Sequence, residues 1–192
     1  MTGRRSALTW FGGMALLALG FQKGRSIIGP YLIDPPLVKI HLTPLPLPVV
    51  NFDDEYESAK TLANFNGKHV LVNIWAKWCP PCREELPSLD RLQEKLGPNA
   101  DLQVVAVSVD PISFEQIRAF YAVIGIKSLA LYRGDESEIM QGFGIVGLPT
   151  SLLVDHNGHE IGRMIGPTLW DAPKVSAQLT NITVNAATTI TG

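Results

Sequence analysis

The sequence is poor in cysteine, in excess charge of either sign and in basic stretches. Only two of its 192 residues are cysteines, Cys79 and Cys82, and a pair three residues apart closes too short a loop to staple distant parts of a fold. A formal net charge of −2 without a basic stripe argues against a nucleic-acid partner. The two cysteines must therefore have a chemical role.

A metal site is the first alternative for such a pair. The four histidines show no spacing that would complete a zinc site, and Arg83 follows Cys82 where haem attachment needs a histidine. We therefore expect no metal and no cofactor. An inert buried pair is a further alternative, but a reactive pair fits the local pattern better, as follows.

The amino-terminal segment, residues 1–28, is distinct in composition. Arg4 and Arg5 precede an uncharged run from Ser6 to Gln22, which is at the short end of the length that spans a bilayer. We predict an export signal that stays on as a membrane anchor. Cleavage near Gly20, twin-arginine export and a buried core helix are the alternatives.

Three further segments follow from composition. Residues 29–48 contain six prolines and are predicted to be an extended linker without internal hydrogen bonds. Residues 49–181 are predicted to form the folded domain, and residues 182–192, rich in Thr, Asn and Ala, a flexible tail.

Within the domain, apolar runs alternate with amphipathic segments, which predicts an α/β fold with a central mixed sheet and helices on both faces. The closing hairpin at Asp155-His156-Asn157-Gly158 adds antiparallel strands. Predicted strands are His69–Ala76, Leu102–Val109, Leu129–Tyr132, Ser151–Val154 and Glu160–Ile165. Predicted helices are Asp53–Phe65 in part, Pro81–Leu96, Ser113–Ile124, Glu136–Phe143 and Asp171–Leu179.

The turn Trp78-Cys79-Pro80-Pro81-Cys82 lies between a predicted buried strand and a predicted helix. A helix amino terminus lowers the pKa of a thiol, so Cys79 should attack a substrate disulfide and Cys82, one turn on, should resolve the mixed disulfide. Because the two prolines lack N–H groups, they offer the thiolate fewer donors, which predicts a reducing couple.

The segment WAKWCPPCREELP, residues 75–87, resembles the active site of thioredoxin-fold proteins. Residues 62–68 (LANFNGK), 104–110 (VVAVSVD) and 147–150 (GLPT) are similar, in order, to the TlpA/ResA (DsbE-like) group of membrane-anchored thiol–disulfide oxidoreductases. The resemblance covers about residues 49–180. It implies a thioredoxin-like fold and the activity of a protein-disulfide reductase.

The resemblance also implies roles for single residues. Pro149 would be a cis-proline facing the dithiol, and Leu148 would line the substrate groove together with Trp78 and Pro80. Glu85 would be the acidic residue that modulates the cysteine acidities, and the alternative for it is a solvated glutamate in the first helical turn.

One departure from the thioredoxin pattern is Asn73, which stands where a buried aspartate often serves as proton acceptor. Asn73 cannot titrate, so Glu85 or water must supply acid–base help to Cys82. Trp75 and Trp78 are expected to pack around the active site.

The predicted function is that of an enzyme, a reductase of protein disulfides. The resemblance to the TlpA/ResA group implies that its substrates belong to cytochrome c maturation or to copper-site assembly of cytochrome oxidase. Its expected partners are a protein disulfide substrate and a membrane dithiol donor, and we expect a monomer at the periplasmic face of the bacterial inner membrane. A dithiol Cu(I)-binding metallochaperone-like module is the alternative, because thiolates are soft ligands. A thiol peroxidase fits the CPPC pair less well.

Overall fold

The computed structural model describes residues 37–97 and 100–189. The strands in these ranges are β1 Lys39–Pro46, β2 Phe52–Asp54, β3 Ala59–Lys60, β4 His69–Trp75, β5 Leu102–Ser108, β6 Tyr132–Arg133, β7 Thr150–Val154 and β8 His159–Ile165. They form one mixed sheet in the order β1-β8-β7-β4-β5-β6-β2-β3. The helices are α1 Pro80–Leu96, α2 Phe114–Ile124, α3 Glu136–Gly142 and α4 Pro173–Thr189, with a 3₁₀ helix at Leu62–Phe65. The predicted α/β fold with a mixed sheet is confirmed.

The middle of the sheet is the core of the molecule. Every residue of β4 and of β7 is buried, which explains why their sequences are almost continuously apolar. Strand β4 runs parallel to β5 and antiparallel to β7. Because β4 is a central strand, its carboxyl end, at Trp75, lies in the middle of the row of strand ends on that side of the sheet. The chain turns there into α1.

Local signals fix the helix ends. Ser113 caps α2 and forms the predicted capping box with Gln116, and Gly125 ends the helix in the left-handed region, where a residue without a Cβ is favoured. The predicted bounds of α2 are confirmed to within one residue.

The prediction of an unpaired linker over residues 29–48 is wrong for Lys39–Pro46, which forms β1 and pairs antiparallel with β8. Proline is tolerated because β1 is the outer strand and because Pro44 lies where the pairing is irregular, between Ile40 and Leu45. Val38 is 3% exposed and belongs to the core. Folded structure thus begins well before Val49.

The helix predicted in part over Asp53–Phe65 is also wrong, except for its last turn. This stretch forms β2, β3 and the 3₁₀ helix. The side chain of Asp54 accepts hydrogen bonds from the backbone N–H groups of Tyr56 and Ser58, which turns the chain back on itself. Glu57 completes this turn with a φ of 57°.

The carboxyl-terminal helix is longer than predicted. Helix α4 continues to Thr189, so the expectation of a flexible tail from residue 182 is wrong up to that point. Ile182 packs against the core, and Thr183 donates a hydrogen bond to the backbone oxygen of Thr180. The strand predicted at Leu129–Tyr132 is only the two-residue β6.

The predicted anchor (residues 1–28), the first part of the predicted linker and residues 190–192 lie outside the described residues. Within residues 37–97 and 100–189, no helix combines the length and the apolar character needed to cross a bilayer.

Candidate active site

Cys79 and Cys82 form a disulfide across the first turn of α1, with their Cα atoms 5.4 Å apart. Cys79 is the N-cap residue, and its Sγ accepts a hydrogen bond from the backbone N–H of Cys82 at 3.3 Å. Pro80 and Pro81 occupy the first two helical positions and have no N–H to offer. In the first turn, the N–H of Cys82 is therefore the donor that reaches the sulfur.

The two sulfurs differ in their access to solvent. Cys79 is 4% exposed, whereas Cys82 is completely buried. Trp78, directly before the pair, is 61% exposed, and Pro80 is exposed too. A large partner can therefore approach the disulfide over Trp78 and Pro80 and meet Cys79 first.

The loop between β4 and the disulfide is held against the end of β5. The backbone N–H of Val109 donates to the oxygen of Trp75, and the N–H of Lys77 donates to the carboxylate of Asp110 at 2.6 Å. Asp110 is buried and also accepts from the hydroxyl of Ser108. Asp110 is a site residue without a predicted role, although a charged residue at the carboxyl end of a buried strand is a usable signal in the sequence.

The indole of Trp75, at the start of this loop, packs against α2. Its ring stacks on Phe120 and on Tyr121 of α2, with 5.7 Å between centroids in each case. Burial raises the pKa of the Tyr121 hydroxyl, so Tyr121 stays neutral. Trp75 is therefore a structural residue under the active site, whereas Trp78 lies on its surface.

The peptide bond between Leu148 and Pro149 is cis, as the resemblance implied. Strand β7 begins at Thr150, which pairs with Ile74 near the end of β4, so the cis peptide lies at the same edge of the sheet as the disulfide. Leu148 is half-buried and Pro149 buried, while Val146 is 84% exposed. An apolar surface therefore borders the disulfide on this side.

An ion pair fixes the start of the loop that carries the cis peptide. Arg163 donates twice to the buried carboxylate of Glu160, at 2.7 Å each, and also to the backbone oxygens of Phe143 and Gly144. Burial opposes the charge on Glu160, but its bonds to Arg163 and His41 hold its pKa below the ordinary value. The loop thus begins from a rigid base.

Glu85 does not lie in solvent, so the alternative of a solvated first-turn glutamate is wrong. Its carboxylate is completely buried and accepts hydrogen bonds from the side-chain amide of Asn73 at 2.6 Å, the N–H of Thr168 at 3.2 Å and the indole N–H of Trp170 at 3.4 Å. Glu85 is three residues from Cys82 on α1, which places both side chains on one face of the helix.

Asn73 and Glu85 form one polar unit inside the core. Asn73 also donates to the hydroxyl of Ser151, while its Oδ1 has no hydrogen-bond partner. Burial raises the pKa of Glu85 from 4.5 to about 8, against the opposing effect of its three hydrogen bonds. Asn73, which stands where thioredoxins often have a buried aspartate, thus has the carboxyl group of Glu85 from α1 beside it.

The region around the disulfide offers no evident metal site. Within the described ranges, no group of three His, Cys, Asp or Glu side chains is placed to hold a metal ion. The copper-binding alternative from the sequence gains no supporting observation here.

Several known proteins are similar to this chain. The family model described as Redoxin matches residues 45–179. The thiol-disulfide oxidoreductase ResA of Bacillus thuringiensis subsp. konkukian is 31% identical over 106 residues, which are 55% of this chain and 59% of that protein. The chain therefore spans less than two thirds of the length of this relative.

Two further similarities extend over more of the chain. The thiol:disulfide interchange protein DsbE of Tatumella citrea is 32% identical over 146 residues, covering 73% of both proteins. The crystal structure of a protein described as thiol:disulfide interchange protein DsbE from Chlorobium tepidum superimposes with a TM-score of 0.63 at 24% identity, covering 77% of this chain and 99% of that one. This structure supports the thioredoxin-like fold.

Proposed function

The chain belongs to the Redoxin family, and on that premise we propose that it is a thiol–disulfide oxidoreductase that reduces protein disulfides through Cys79 and Cys82. The observation that carries the proposal is the disulfide across the first turn of α1, with Cys79 at the N-cap and Cys82 buried behind it. A structural staple would gain little from so short a loop.

The reaction begins with the reduced pair. The amino terminus of α1 and the N–H of Cys82 stabilise negative charge on the Cys79 sulfur, which makes Cys79 the attacking thiolate. Its attack on a substrate disulfide forms a mixed disulfide and releases one substrate sulfur as thiolate.

The second step uses Cys82, which lies next to the mixed disulfide. Cys82 must lose its proton and attack the Cys79 sulfur, which forms the intramolecular disulfide and releases the second substrate sulfur. The substrate gains two electrons and the enzyme loses two, so an external dithiol must return the pair to the reduced state.

Glu85 is our candidate for the acid–base group in this second step. With a pKa of about 8, its carboxyl can hold or release a proton near neutral pH, which an ordinary glutamate does not do. The hydrogen bonds from Asn73 and Trp170 hold the carboxyl in place and orient it.

The substrate surface comprises Trp78, Pro80, Leu148 and Pro149. Trp78 and Leu148 offer apolar area beside the sulfur, and the cis peptide leaves the backbone next to Leu148 outside the β7 ladder. An extended peptide with apolar side chains next to its disulfide fits this surface.

We further propose that the chain acts outside the cytoplasm, held at the membrane by residues 1–28, as a monomer that takes electrons from a membrane dithiol. The uncharged run behind two arginines supports the anchor. The resemblance of residues 75–87 and 147–150 to the TlpA/ResA group supports substrates of the cytochrome c maturation or oxidase copper-site type.

The test is trapping of the substrate. In Cys82→Ser, the mixed disulfide on Cys79 cannot be resolved, so a covalent partner that is released by dithiothreitol should accumulate. The matched control is Cys79→Ser, which keeps one cysteine but lacks the attacking sulfur and should trap little. Equal trapping by both variants, or none by Cys82→Ser in a cell that expresses the protein, would refute the assigned roles.

A further inference from the structure

A second surface, formed by β1 and α4 from residues other than those around the disulfide, is apolar and exposed among the residues that the structure describes. On β1, Ile40 and Leu45 are each 46% exposed and Leu42 is 106% exposed. Ile40 lines one side of a groove of about 410 Å³, and Ala177 and Ile182 of α4 line the other. We call these residues the β1–α4 face.

Leu42 is exposed because of how β1 pairs with β8. Ile40 pairs with Gly162 and Leu45 with Glu160, so residues 41–44 have only Ile161 opposite them and form an outward bulge. The ring of His41 is bound to the carboxylate of Glu160 at 2.9 Å, which fixes the bulge to β8. The exposure of Leu42 is therefore built into the strand.

The bulge also carries an apolar residue that a free edge strand would avoid. Edge strands of soluble proteins carry charged residues or are covered by other elements, because exposed apolar edges pair with other surfaces. A face with three large aliphatic side chains at the edge of the sheet suggests an occupant.

The direction of β1 places its first residue, Lys39, at the end of the sheet that carries the dithiol. Lys39 pairs with Arg163 and β1 runs antiparallel to β8, whose last residue, Ile165, pairs with Thr150 beside Ile74 at the carboxyl end of β4. The chain therefore enters the sheet from the end at which the disulfide lies. Residues 23–36, which lead there from the uncharged run, reach at most about 50 Å when fully extended.

The charges around the face favour an anionic surface. Lys174 lines the groove, Lys39 is exposed on β1, and the described residues that line the groove include no acidic side chain. The leading segment contains Lys23, Arg25 and Asp34, so its net charge is also positive. Basic residues around an apolar surface are the pattern that binds anionic lipid headgroups.

We propose that the β1–α4 face lies on the surface of an anionic lipid bilayer, with Leu42 inserted among the headgroups. This proposal deepens the proposed function and rests on its amino-terminal anchor. Such docking holds the domain at the bilayer and keeps Cys79 within reach of a membrane-embedded dithiol donor.

The test uses the full chain reconstituted in nanodiscs of phosphatidylethanolamine and phosphatidylglycerol. Leu42 is replaced by the photo-cross-linker p-benzoylphenylalanine, and a matched variant carries the same group at Val123 of α2, which is 83% exposed. Both variants share the same anchor, so tethering alone cannot separate them. We expect several-fold more lipid adduct, detected by intact mass, at position 42 than at position 123.

Two results would overturn the proposal. Equal lipid adducts at both positions would show that the face has no fixed contact with the bilayer. Cross-links from position 42 to a second copy or to another protein, without lipid adduct, would assign the face to a protein partner. Nanodiscs of phosphatidylcholine alone should give less adduct at position 42. An unchanged yield would show that the contact does not require anionic lipid.

Reduction of a soluble disulfide substrate by the same nanodisc samples is measured in parallel. Because Cys79 and Cys82 are unchanged in both variants, this activity reports on the proposed function separately. Activity without lipid adduct would refute only the docking, and lipid adduct without activity would refute only the reductase.

Discussion

The buried carboxyl of Glu85 makes a prediction about pH and stability that the variant Glu85→Gln can test. Glutamine has nearly the same shape but cannot titrate. In the folded protein burial raises the pKa of Glu85 to about 8, whereas the unfolded chain has the ordinary value of 4.5. The difference corresponds to roughly 5 kcal/mol as an upper bound, at about 1.4 kcal/mol per pH unit.

The sign follows from proton binding. Between pH 4.5 and about 8 the folded state holds a proton on Glu85 that the unfolded state has released, so raising the pH favours unfolding. The contribution of Glu85 to stability is fully present below pH 4.5 and is lost as the pH rises to about 8. The variant lacks this loss, so its free energy of unfolding should exceed that of the wild type increasingly toward alkaline pH.

At pH 5 the two proteins should be closer in stability, because neutral Glu85 and the glutamine that replaces it need similar hydrogen-bond partners. A protonated carboxyl or an amide needs an acceptor, and Asn73 Oδ1, which has no partner now, can provide it by rotation of the amide. Ser151 can then donate to the same oxygen.

The assay is urea unfolding of the oxidised proteins at pH 5, 7 and 9, with the free energies of unfolding compared at each pH. Subtracting the variant from the wild type removes the titration of all other groups. Glu94→Gln, at an exposed position of the same helix, is the control and should leave the difference flat. A raised pKa would be refuted if the free energies of unfolding of the wild type and Glu85→Gln differed by the same amount at all three pH values. It would also be refuted if the wild type became more stable relative to the variant as the pH rose.

Two further predictions concern the turn itself. Pro81→Ala restores an N–H at the second position of α1, within reach of the Cys79 sulfur. One added hydrogen bond of about 1–1.5 kcal/mol to the thiolate should raise the reduction potential, measured by glutathione equilibration, by about 20–30 mV. An unchanged or lower potential, or a wild-type value near about −120 mV, which is typical of strong oxidants, would contradict the role given to the prolines. Asp110→Ala leaves the N–H of Lys77 without its acceptor and should cost about 1–3 kcal/mol in urea unfolding of the oxidised protein. Asp110→Asn keeps a side-chain oxygen as acceptor for this N–H and should cost less. Equal costs would show that the bond to Lys77 is not the important one.

The sequence predicted the elements that are specified locally. The buried strands β4 and β5 follow from continuous β-branched runs, and α2 follows from its capping box and its carboxyl-terminal glycine. The position of Cys79 at a helix start follows from the same local pattern. These features need no knowledge of distant partners.

The features that the sequence did not predict depend on contacts between distant residues. Strand β1 looked like a linker because composition cannot show that a proline-containing segment will find the edge of β8. The burial of Glu85 depends on Asn73 and Trp170, which are 12 and 85 residues away. A single glutamate near the start of a helix gives no local sign of such partners.

The contact between Val38 and Gln178 has a practical consequence for where the folding unit starts. The side-chain amide of Gln178 accepts from the N–H of Val38 at 3.0 Å and donates to its oxygen at 2.9 Å, as a neighbouring strand would. A truncation that starts at Val49, where the proline-rich stretch ends, would leave this amide without these two partners. It would also make β8 an edge strand with unpaired backbone groups. A truncation that starts at Leu37 would keep both, so the amino-terminal boundary of this domain is set by a residue near its carboxyl terminus.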